Sequence, residues 1–128
     1  MLVGLVYGIE CAPNEVYVNI TKRTLLFAKE ESFQIFGGDV LFYSSSLFED
    51  NQDQILEVCL PFSVSSLYSL KMLDTGNDGW SDGAWIVIRD LTGGIVIETI
   101  MTEKSVQIEQ FSLSSSIINM NPLQSTRD

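Results

Sequence analysis

No stretch of this chain sustains the 3.6-residue amphipathic period that a core-covering helix needs. What recurs instead is short alternation, broken by turns rich in Gly, Ser or Asp. Glu15 to Thr21 is the clearest case. Val16, Val18 and Ile20 share one face, while Tyr17, Asn19 and Thr21 share the other. Ser32 to Phe36 and Val40 to Ser44 flank Gly37-Gly38-Asp39 and predict a hairpin. Ile55 to Leu60 is a strand closed by Pro61, and Leu67 to Leu73 is another. Ala84 to Arg89 and Ile95 to Thr102 form a second hairpin around Asp90 to Gly94. In Ser105 to Leu113 the pair Val106 and Ile108 is one step out of phase with Phe111 and Leu113, which predicts a bulge near Glu109-Gln110. Leu25 to Ala28 takes no assigned type, and Ser44 to Asp53 is an acidic loop.

About eight strands at regular spacing predict an all-β fold, an antiparallel β-sandwich of jelly-roll-like form. With 128 residues there is one domain, long enough to bury a core. The sandwich spans 11–113. An apolar strand or arm (1–10) precedes it, unless the chain is part of a longer secreted precursor. A polar tail (114–128) carrying Ile117, Ile118, Met120 and Leu123 follows, either loosely ordered or docked on a neighbour.

The chain has no histidine, which removes Ser-His-Asp and Cys-His catalysis and every imidazole metal site. No paired-acid motif takes their place, so the sequence argues against an enzyme. Acids outnumber bases 17 to 7, a net charge of −10 that repels phosphate backbones and argues against nucleic acid. No apolar run approaches the ~18 residues of a membrane span, so membrane insertion is not expected.

Cys11 and Cys59 are the only cysteines, an even count that suits one disulfide in an oxidising compartment; two buried thiols are the alternative. Alternation places Cys59 with Glu57, away from the face of Leu56, Val58 and Leu60. There it could meet a segment crossing the outside, such as the one carrying Cys11. Asn19-Ile20-Thr21 is a glycosylation sequon on the outward face of its strand.

The densest polar chemistry lies in Asp74-Thr75-Gly76-Asn77-Asp78-Gly79-Trp80-Ser81-Asp82-Gly83. Calcium takes about 6–8 oxygens, and flexible acidic loops supply them. Asp74, Asn77, Asp78 and Asp82 are the candidate ligands. The spacing is not that of an EF-hand and the flanks are strands. A plain turn, with Asp and Asn bonding their own backbone, accounts for the same residues. Trp80 beside these acids raises a third idea, a platform for stacking sugars, against which stands ordinary packing of the indole.

Val58-Cys59-Leu60-Pro61, a following strand, and then Asp74-x-x-x-Asp78-Gly79-Trp80 with Gly83 before an apolar strand resemble an extracellular β-sandwich module. It recurs in secreted and surface proteins of protists, algae and marine bacteria. Its N-terminal Cys precedes a V-x-V-x-I strand, as Cys11 precedes Val16 to Ile20. The similarity covers about residues 11–102 and departs from the pattern at Asn77, where the module commonly has Gly. The resemblance implies secretion, structural or adhesive work and calcium, and it implies no catalysis. The expectation is therefore a calcium-stabilised extracellular or cell-surface module that partners further copies of itself or other extracellular proteins, building filaments or a surface layer. The alternative is a carbohydrate-binding module with glycan partners.

Overall fold

A computed structural model gives the structure of the protein, and it describes residues 9–113. Among the described residues there are eight strands: β1 (Glu15–Arg23), β2 (Glu31–Gly37), β3 (Val40–Ser44), β4 (Asp53–Pro61), β5 (Leu67–Asp74), β6 (Trp85–Arg89), β7 (Ile95–Thr99) and β8 (Val106–Ser112). They form two four-stranded antiparallel sheets, in the orders β4-β1-β6-β7 and β3-β2-β5-β8. Only the β2–β3 and β6–β7 connections stay within a sheet. The other connections cross between the layers, which makes the antiparallel sandwich.

The alternation seen in the sequence sets which residues meet inside. Val16, Val18 and Ile20 of β1 and Ile86 and Ile88 of β6, from one sheet, meet Phe33 and Ile35 of β2 and Leu70 and Met72 of β5, from the other, in one buried cluster. Cys59 points outward and forms a disulfide with Cys11 across 48 positions, with 5.5 Å between the Cα atoms. The free-thiol alternative is thereby set aside. The segment Leu25 to Ala28 is not a strand. Phe27 adopts a left-handed backbone (φ 59°) and starts a single 3-10 turn, Ala28–Glu30, that carries the chain from one sheet to the other.

The expected bulge at Glu109-Gln110 is absent. The β5–β8 register runs without a break from Leu67↔Ser112 to Leu73↔Val106. Phe111 faces in, and so do Gln107 and Glu109, while Val106 and Ile108 face out. The out-of-phase pattern marks an edge strand whose apolar residues lie on the exposed face. The bulges lie instead between Ile35 and Phe36 and between Ile88 and Arg89. Strand β7 stops at Thr99, short of the expected Thr102. The chain beyond it is held by Gln107, whose Oε1 accepts the Thr102 and Glu103 amides (2.7 and 3.0 Å). The tail 114–128 and most of the arm 1–10 lie outside the described residues.

Candidate metal centre at the polar end of the sandwich

Three strands place a polar residue at an inward position at the same end of the core. Strand β1 continues its buried series Val16, Val18, Ile20 with Lys22. Strand β2 begins its own with Glu31, and β5 ends Tyr68, Leu70, Met72 with Asp74. Glu31 and Asp74 are register partners, so their side chains are neighbours on the inner face. Lys22 and Glu31 come from opposite sheets and meet at 2.6 Å, both essentially without exposure. The Lys22 ammonium also donates to the Arg23 carbonyl (3.0 Å) and lies 4.0 Å from the Trp80 ring centroid. Burial pulls its pKa below the ordinary lysine value, and Glu31 opposes that pull.

The Asp/Gly loop is fastened over this end. The Ser81 amide donates to Glu31 Oε2 (3.0 Å), and Trp80 Nε1 donates to the Leu73 carbonyl (3.0 Å). The Thr75 amide bonds the Glu30 carbonyl (2.9 Å) and the Gly79 amide bonds the Lys104 carbonyl (2.9 Å). At Gly79 the backbone is left-handed (φ 77°), and a Cβ there would stand 3.0 Å from the Glu103 carbonyl oxygen. Glycine is what lets the loop lie this close to the segment after β7.

Within this frame Asp74 and Asp78 converge, as expected, and the structure adds a residue the sequence reading missed, Glu30. One carboxylate oxygen from each of the three lies within 4.8 Å of the others. Gly76 makes room for them, since a Cβ at this position would overlap Glu30 Oε1 and stand 3.2 Å from Asp78 Oδ1. Asp74 is 4% exposed. Its Oδ2 accepts the Asp78 amide (2.8 Å), while its Oδ1 is buried with no hydrogen-bond partner. A buried carboxylate oxygen left unpaired costs about 1–3 kcal/mol or more, which singles Oδ1 out as an acceptor at this end that a further group could satisfy. The Asp78 carboxyl is pushed up by its hydrogen bond with Asp74, then by burial and by the Asp74 charge. Glu30 is pushed up by burial and by the charges of Asp74, Asp78 and Glu31. The Glu30 and Asp78 carboxyls thus resist ionising beside their acidic neighbours, which is the electrostatic setting a divalent cation relieves. An all-oxygen donor set is of the kind that calcium accepts.

Asp82 is not part of the cluster. It is exposed, beyond Ser81, in the turn closed by the Ala84 amide on the Ser81 carbonyl (2.9 Å). Of the four expected ligands it is therefore one that the fold does not bring to the cluster. Asn77 sits exposed in a left-handed backbone (φ 62°), a conformation that Asn tolerates better than most residues. Trp80, the expected sugar platform, is 5% exposed, and Lys22 occupies one side of its ring. Asn19 lies half-buried on the outward side of β1, between its register partners Glu57 and Arg89.

Glu30 escaped the sequence reading because it sits in the 3-10 turn, more than forty positions from the loop it joins. A usable signal existed: Lys22, Glu31 and Asp74 each fall in phase with buried apolar residues, which marks one end of the interior as polar.

No family model, curated protein or solved structure matches the chain. The disulfide is compatible with secretion. Among the described residues no helix is long and apolar enough to cross a membrane.

Proposed function

We propose that this protein is a non-enzymatic structural or adhesive module of an extracellular surface, that calcium rigidifies one end of its sandwich, and that copies of it associate. The observation that carries the calcium reading is the buried, unpartnered Oδ1 of Asp74 beside the carboxylates of Glu30 and Asp78. A cation there would satisfy that oxygen and tie the 3-10 turn to the Asp/Gly loop. The disulfide and the resemblance of the Val58–Pro61 and Asp74–Trp80 motifs to an extracellular module support the location. The buried position of Trp80 removes the observation that favoured sugar binding.

Thermal melts in EGTA and in calcium test the metal reading. A ligand at a hundredfold excess over its Kd stabilises the native state by about 2.7 kcal/mol. For a domain of this size that is a shift of roughly 10 °C or more. Asp78→Asn, which keeps the side-chain shape, should lose the shift. A wild-type melt that calcium leaves unmoved would reduce the loop to a turn.

A further inference from the structure

The outward face of the β3-β2-β5-β8 sheet carries no acidic residue. Its apolar positions are Phe36, Leu41, Leu67, Leu73, Val106 and Ile108. Lys71 is its one charge, and its ammonium rests 5.9 Å from the Phe36 ring centroid. The remaining outward positions paired across these four strands are Ser or Gln. Val106, Ile108, Leu41 and Leu67 are exposed, Ile108 by 59%. On a chain of net charge −10, this face keeps clear of the acids that surround it. The other sheet turns Glu15, Asp53, Glu57 and Glu98 outward.

We infer that this acid-free face is where two copies of the chain associate, sheet against sheet. The inference rests on the self-association part of the functional reading and is independent of the calcium site. Charge selects the occupant. Two copies repel each other as wholes, and this is a face they can share without setting acid against acid. Interface centres are depleted in charge and apolar in the same way. Strand spacing of about 4.8 Å and a rise of about 3.4 Å per residue make the face roughly 20 by 23 Å, or about 450 Å² per copy. That falls below the ~800 Å² per partner of a stable dimer and sets this contact among weak ones. The association should therefore appear at high protein concentration. It should strengthen as salt rises, because salt screens the repulsion between the acidic bodies.

The test is sedimentation equilibrium of the full chain from micromolar to millimolar concentration, at low and high salt, with and without calcium. Ile108→Glu and Ile55→Glu are run beside wild type. Ile55 is 65% exposed on the opposite sheet and serves as the control. Both variants are surface changes, and circular dichroism verifies that each is folded. The expected result is a wild-type dimer favoured by salt, at least a tenfold weaker dimer for Ile108→Glu, and no such change for Ile55→Glu. A wild-type dimer that Ile108→Glu leaves intact overturns the assigned face while self-association stands. A chain that remains monomeric at millimolar concentration overturns both. If that monomer shows contacts between the Val106 or Ile108 methyls and Ile117 or Ile118 by NMR, the face is covered by the chain's own tail.

Discussion

The two ends of the sandwich interior are closed by opposite chemistry. At the end where β5 begins, Tyr68 is fully buried and stacks on Phe111, with ring centroids 5.5 Å apart. Its hydroxyl donates to the Pro61 carbonyl (3.0 Å) and accepts the Ser63 amide (2.9 Å). This plug is neutral and has its hydrogen bonds made. The disulfide at Cys59, two residues before Pro61, staples the same end. At the end where β5 finishes, the closure is Lys22, Glu31 and Asp74, two strands of one sheet against one of the other. It leaves a buried carboxylate oxygen unpaired. An apolar or phenolic plug would serve a sandwich that only had to be stable. Buried ion pairs seldom add stability over apolar packing, so the charged end is closed at a cost that the neutral end avoids.

Removing one member of the buried pair should break the charged end with the largest effect. Glu31→Ala leaves Lys22 buried without its partner, at a cost of about 3–5 kcal/mol in chemical denaturation. Replacing Lys22 and Glu31 together by Met and Leu should recover most of that loss. If the double variant is no better than Glu31→Ala, the pair is not the reason for the sensitivity. Reduction of Cys11–Cys59 tests the neutral end. A loop of 48 positions corresponds to about 4 kcal/mol in the chain-entropy account, and the loss should be the same in EGTA as in calcium. A disulfide effect that depends on calcium would mean that the two ends are not independent. Tyr68→Phe unpairs one carbonyl and one amide and should cost about 1–3 kcal/mol while the calcium-induced shift in melting stays intact.

The smallest expected effect is in pH. Without calcium, Glu30 and Asp78 hold their protons longer in the folded chain than at their ordinary values of 4.5 and 3.8. Between those values and the raised folded ones the native state binds more protons than the unfolded one. Their contribution to stability is therefore full below about pH 4 and falls as pH rises through the folded pKa values. Calcium should flatten that fall, and Asp78→Asn should reduce it. Melts in EGTA across pH 4 to 7 that rise throughout would contradict the crowding of these carboxyls.

Much of the architecture was legible in the sequence because a period of two is local. Val16, Val18 and Ile20 announce an inward face without reference to any partner. The Gly37-Gly38 and Gly93-Gly94 turns announce which strands pair directly. Where local pattern misled, the reason was position in the sheet. Strand β8 is an edge, so Val106 and Ile108 could face solvent while Gln107 turned inward to hold the Thr102 and Glu103 amides. The site was half legible: Asp74 and Asp78 stand out in their loop, whereas Asp82 belongs to the same stretch but sits in a separate turn.

By itself the sequence determined the all-β class, the hairpins, the outward cysteine and the absence of imidazole chemistry, since each depends on residue identity and near neighbours. Tertiary structure alone decided that Lys22 from one sheet meets Glu31 from the other, and that Glu30 joins Asp74 and Asp78. It also decided that acids are missing from one outer face. Those depend on which strands lie side by side, and contacts across layers carry no periodic signature along the chain.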